Sequence, residues 1–202
     1  VAPLIEFEAK HSNPIENVRK TLGFIRNLRL NRTPRITLDL SSYTRKHTLQ
    51  LLQGLDLANM LGDCNIYHSE PKDFHTHDNE PIGEGVSSIK AIATFGGEMH
   101  PSKDSLLILF LGYEGRRAFS IFEKLEPNRA LAVIAHPPYQ ESWEGRAEAQ
   151  NRYLLSCIPE SAMFKSHSLI PGSTEELLDQ ICCDPAFSKA KYNHFVGPLG
   201  TK

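Results

Sequence analysis

Residues 105–112 read SLLILFLG, and Leu106, Leu107, Ile108, Leu109, Phe110 and Leu111 follow one another without a polar break. A strand with one wet face alternates apolar and polar side chains. An unbroken apolar run instead suits a strand covered on both faces, the usual state of a parallel sheet between helices. Gly112 closes the run. After a short turn, Ala118, Ile121, Phe122 and Leu125 recur at the 3, 4 and 7 spacing of one helical face.

The same cadence recurs along the chain. Residues 35–42 (RITLDLSS) read as a strand and 42–61 as a helix, with Ser41 or Ser42 as its expected cap and Leu51, Leu55 and Ala58 on one side. CNIYHS (64–69) reads as a second strand, and 86–97 (VSSIKAIATFGG) as a strand or hairpin arm. RALAVIAHPP (129–138) and MFKSHSLIP (163–171) read as strands, each followed by a helix, the second opened by Ser173 with Glu176 in a capping-box pattern. YNHFVGPLG (192–200) is the last strand. Strands alternating with helices predict an α/β, Rossmann-like three-layer sandwich, with a mostly parallel sheet and helices on both faces. RITLDL, SLLILF, ALAVIA and NHFVG are expected as parallel neighbours in one sheet.

The domain is expected over 35–202. Residues 1–34 read as a separate helical or irregular segment, part of another domain, with Val18, Leu22, Ile25 and Leu28 at helical spacing. The start at Val1 and the stop just after a strand read as cut ends, since an α/β chain normally runs on into a helix. With 202 residues, 40% of them hydrophobic, the chain suffices for one main core. A net charge of -2 argues against a strongly basic nucleic-acid binder. The basic residues Arg19, Lys20, Arg26, Arg29, Arg32 and Arg35 read as a solvated face rather than a nucleic-acid arm. No apolar run reaches the roughly 20 residues of a membrane span. Four cysteines without CxxC spacing (Cys64, Cys157, Cys182 and Cys183) suit reduced thiols and a cytoplasmic setting.

Right-handed crossovers bring the carboxyl ends of parallel strands to one rim, where open α/β sheets take their ligands. Four joints are expected there. LDLSSYTR supplies Asp39, Ser41, Ser42 and Arg45; LGYEGRR supplies Gly112, Tyr113, Glu114, Gly115, Arg116 and Arg117. AHPPY supplies His136 and Tyr139, and GPLGTK supplies Gly197, Gly200, Thr201 and Lys202. Helix N-termini and close-lying glycine backbone favour anions, and arginine binds phosphate with two parallel bonds. Tyr113 and Tyr139 offer stacking faces. Glu114, with Asp39 beside it if their strands are neighbours, is the candidate for acid–base chemistry. Each residue also has a plain structural role: serines as caps, glycines for turns and packing, and Glu114 at the positive end of a helix. Neither GxGxxG after a strand nor GxxxxGK[ST] is present, and no GxSxG elbow.

DFHTHDNE sets His75 and His77 two apart within a polar loop. The pair alone is too little for a metal site, and no metal is expected there. Trp143 is expected to pack at a helix start. The leading expectation is a domain that holds a nucleotide or other phosphorylated small molecule and acts as a sensor or regulatory module, with a protein partner or a second domain. The alternatives are a hydrolase or glycosyl-transferring enzyme acting on a nucleoside-type substrate through Glu114 and Asp39, and a protein-interaction domain with no ligand. The cofactor is left open.

Overall fold

The structure, a computed structural model, describes residues 14–27, 36–69, 85–138, 140–143, 145–167, 170 and 172–200. Two compact units emerge. One contains residues 14–69 and 91–96, the other residues 85–90 and 97–200.

The first unit is a single β-α-β turn with a helix against it. Strand β1 (Ile36–Asp39) leads through α2 (Arg45–Leu57) to β2 (Cys64–Tyr67), which pairs with β1 in parallel. Helix α1 (Pro14–Asn27) presents Val18, Leu22 and Ile25 to Leu51 and Leu55 of α2. Gly54 allows that approach: a Cβ there would lie 2.5 Å from Val18 Cγ1. So the segment read as separate supplies one half of a small helix-on-helix core.

The second unit carries the main core. Strands β3 (Asp104–Leu111), β4 (Arg129–Ala135), β5 (Met163–Ser166) and β6 (Tyr192–Pro198) form a wholly parallel sheet in the order β5-β4-β3-β6. Helices α3 (Gly115–Leu125), α4 (Arg146–Cys157) and α5 (Ser173–Cys183) connect them in turn. The steps β3→β4→β5 run one way along the sheet, so right-handed crossovers put α3 and α4 on one face. The step β5→β6 runs back past β3 and puts α5 on the other. Leu106, Leu107, Ile108 and Leu109 are at most 1% exposed, as an apolar run covered on both faces requires.

Three expectations change. RITLDL does not join the large sheet: β1 pairs in parallel with β2 in a two-stranded sheet, while the neighbours of β3 are β4 and β6. Residues 86–97 form no strand. Thr94 has φ 80°, and a turn closes from Phe95 N–H to the Ile92 carbonyl. The alternation of Ile89 with later apolar residues imitates a strand, yet Ile89 and Phe95 are exposed. The helix caps also differ. Thr44, not Ser41 or Ser42, caps α2, accepting from His47 N–H. Gly172, at φ 83°, precedes α5, and Ser173 is its first helical residue, accepting through Oγ from His167 N–H at 2.9 Å. Trp143 packs as expected: it is 4% exposed, in a single 3-10 turn just before α4.

Candidate functional site

The strand order places a topological switch point between β3 and β6. The chain leaves β3 toward β4 on one side, while β6 lies on the other. The carboxyl ends of all four strands form the rim: Gly112 after β3, His136 after β4, His167 after β5, and Leu199 and Gly200 after β6.

At the switch point the backbones are in contact. A Cβ on Gly112 would sit 2.6 Å from the Leu199 carbonyl oxygen and 3.2 Å from Gly200 Cα. The Gly112 carbonyl accepts from Asn151 Nδ2 at 2.7 Å, a buried bond that ties the end of β3 to α4. Tyr113 turns its ring edge to Trp143, centroids 5.5 Å apart, and the Arg146 guanidinium lies 5.4 Å from the Tyr113 ring. Tyr113 is thus a packed aromatic rather than an open stacking face.

Glu114 occupies the N-cap position of α3 without a side-chain cap bond, and its side chain, 18% exposed, turns to Arg117. Both oxygens meet Arg117 Nη1, at 2.7 and 2.9 Å. Helical spacing of three residues brings the pair together. Gly115 serves helix packing, because a Cβ there would fall 1.8 Å from the Gln150 carbonyl oxygen of α4. Arg116 is exposed and, among the described residues, meets no hydrogen-bond or ion-pair partner. Of the charged groups in GYEGRR, Arg116 is the one without such a partner among the described residues.

Along the rest of the rim, His136 follows β4, is half-buried, and donates its backbone N–H to the Ser166 carbonyl. The β5–α5 joint was missed in the sequence, although the rule that marked the other joints applies to it equally. There Ser166 Oγ and Thr174 Oγ1 lie 2.8 Å apart. A broad open depression of about 490 Å³ is lined by His167, Ile170, Gly172, Thr174, Glu175 and Asp179 with Leu178. Gly197 lies within β6, where the one close atom a Cβ would meet is the Leu109 Cδ2 side-chain tip, with the Ile108 carbonyl oxygen at an ordinary 3.9 Å. Tyr139, Thr201, Lys202, His75 and His77 lie outside the described residues. Among the described residues no group of three or more His, Cys, Asp or Glu is placed to hold a metal ion.

Asp39, Ser41, Ser42 and Arg45 belong to the small sheet of the first unit, not to this rim, so β1 does not bring Asp39 alongside Glu114 as a neighbouring strand would. Asp39 Oδ1 accepts from Ser41 Oγ at 2.5 Å and Ser41 N–H at 2.9 Å, and Ser41 Oγ accepts from Ser69 N–H at 2.9 Å. This chain ties the carboxyl ends of β1 and β2 together. Ser42 is exposed, and Arg45 opens α2.

The hydroxyl and amide of Ser41 hold the Asp39 carboxyl below the ordinary 3.8, with His68 helping. The sign follows by linkage. A carboxyl whose folded value is lowered adds stability that is fully present above its unfolded value and is lost as pH falls through the folded one. Asp39 is exposed, so the effect on stability is small. The expected result is a carboxyl titration, followed by NMR, with its midpoint below 3.8 in the native protein and shifted upward in Ser41→Ala. A midpoint at or above 3.8 in the native protein would show that the Ser41 bonds do not persist in solution.

No protein-family model matches the chain, and neither a curated protein nor a solved structure matches it.

Proposed function

We propose that the second unit binds a nucleotide or other phosphorylated small molecule at the carboxyl-end rim of its four-stranded sheet, and that it acts as a sensor or regulatory module for a protein partner or second domain. The observation that carries this reading is the switch point between β3 and β6, with Arg116 unengaged in the first turn of the helix that leaves it. Ligands in open parallel sheets lie outside the strand ends at such a point. The first turn of α3 adds amide donors and a partial positive charge, which favour an anion.

A binding role is preferred to turnover because of Glu114. Its carboxylate is held against Arg117 through both oxygens and braces the turn, while the other groups at these joints are mainly glycine backbone and arginine, which suit an anion. Among the described residues no helix is long and apolar enough to cross a membrane. With four unpaired cysteines, the reading extends to a reducing, cytoplasmic setting.

Native mass spectrometry of the gently purified chain tests the proposal, by a retained mass of a nucleotide or phosphorylated metabolite. For the ligand so identified, Arg116→Ala is expected to weaken binding by about 1.5 to 3 kcal/mol, the range of hydrogen bonds to charged groups. The melting temperature should hardly move, because an exposed arginine braces no core. If Arg116→Ala binds as the parent does and melts early, the turn is structural and the proposal fails.

A further inference from the structure

At the opposite end of the sheet from the rim, a thiol and an imidazole face each other. Cys182 lies in the last turn of α5, and His194 is the third residue of β6. Cys182 Sγ is 3.9 Å from His194 Nδ1, within the longer reach of a sulfur donor. The other ring nitrogen, Nε2, is 2.7 Å from the Phe187 carbonyl oxygen. A carbonyl only accepts, so Nε2 carries the proton and Nδ1 offers its lone pair to the thiol.

That carbonyl is firmly held. Phe187 is 5% exposed and packs edge-on against Phe164 at 6.2 Å, with the Arg129 guanidinium 4.4 Å from its ring. Its own N–H bonds the Asp184 carbonyl at 2.9 Å, and Ala186 N–H bonds Asp184 Oδ1 at 2.7 Å. The arrangement is a nucleophile, a base and a third group that orients the base, the pattern by which proteins activate a weak nucleophile. Cys182 retains partial exposure, so a small reagent can reach it.

We propose that Cys182 is a modification site that forms a mixed disulfide with small aliphatic disulfides of the glutathione type, with His194 as its base and the Phe187 carbonyl as the positioning group. Nδ1 takes the proton from Sγ. The thiolate attacks one sulfur of RS–SR, the new S–S bond forms as the old one breaks, and RS⁻ leaves with the proton from Nδ1. The balance is Cys–SH + RSSR → Cys–S–SR + RSH, with no outside oxidant. Among the described residues the other thiols have no such help: Cys157 approaches only the Tyr153 carbonyl, and Cys64 only the Asn65 carbonyl; burial also pushes the Cys64 thiol up.

The test is timed incubation of the full chain with oxidised glutathione at neutral pH, acid quenching, and peptide fragmentation to assign each site. The thiolate is the attacking species, and a base set against Sγ takes the proton as the new S–S bond forms. Cys182 should therefore outpace Cys157 and Cys183 roughly tenfold, although both of those are more exposed. His194→Gln keeps a donor for the Phe187 carbonyl but removes the base, and it should erase that advantage while circular dichroism stays native. If Cys183 or Cys157 reacts as fast as Cys182 in the parent chain, the proposal is wrong. It is equally overturned if folded His194→Gln keeps the parent rate at Cys182. If the variant unfolds, all four thiols react alike, and the ranking in the parent chain decides.

Discussion

Gly115→Ala should destabilise the second unit by about 3 kcal/mol or more, at the severe end for a single added carbon. The reason is the identity of the atom it would strike. An alanine Cβ would fall 1.8 Å from the Gln150 carbonyl oxygen and 3.2 Å from the Asn151 amide nitrogen. Both are helix backbone and cannot rotate away as a side-chain tip would. Helices α3 and α4 would have to move apart, loosening Ala118 and Leu154, which are at most 1% exposed. Urea denaturation followed by circular dichroism measures the loss. A change below about 1 kcal/mol would show that α3 and α4 can separate at little cost.

Gly112→Ala is the companion case, with an expected loss of about 2 to 3 kcal/mol. Here the Cβ would meet the Leu199 carbonyl oxygen at 2.6 Å, and the segment after β6 would be pushed off β3. The bond from Leu199 N–H to the Phe110 carbonyl, at 2.9 Å, would strain first. Gly197 provides the contrast. Its Cβ would come within 2.7 Å of Leu109 Cδ2, the end of a side chain that can change rotamer, so Gly197→Ala should cost clearly less. The same urea titrations report this ranking, and equal losses at Gly112 and Gly197 would refute it.

These glycines show what the sequence could and could not convey. Their presence in GYEGRR was plain, and so was a close approach of backbone. Whether the approaching partner is a ligand or the protein itself depends on which strand and helix lie opposite, and no local pattern encodes that. Packing claims them both. Strands β3 and β4 were legible because burial on both faces leaves long apolar runs, whereas the edge strands β5 and β6, only partly buried, were legible from their place in the strand–helix cadence. The position of β1 was not, because a strand's own residues do not name its partner, which here is β2. Residues 86–97 misled for a related reason: alternation describes a face to bury, and no partner strand receives it. At α2, Ser41 looked like a cap by residue type, but Asp39 takes it two positions away and leaves Thr44 for the helix. Arg117 was the clearest missed signal in the candidate site. Its spacing of three from Glu114 already favoured an ion pair, which singles out Arg116.

The central place of β3 also has a consequence in time. Its first neighbour, β4, follows shortly along the chain, but its register with β6 joins Asp104 to Tyr192. At typical translation speeds those about 90 intervening residues take roughly 4 to 18 seconds to emerge. Throughout that interval the most apolar strand of the protein has one row of amides and carbonyls uncovered, an open template for any other extended chain. Pairing that closes so late also slows folding, because the entropy of a long loop is lost before the contact stabilises anything. The vulnerable period of this molecule therefore lies in its synthesis, and it ends only when β6 docks.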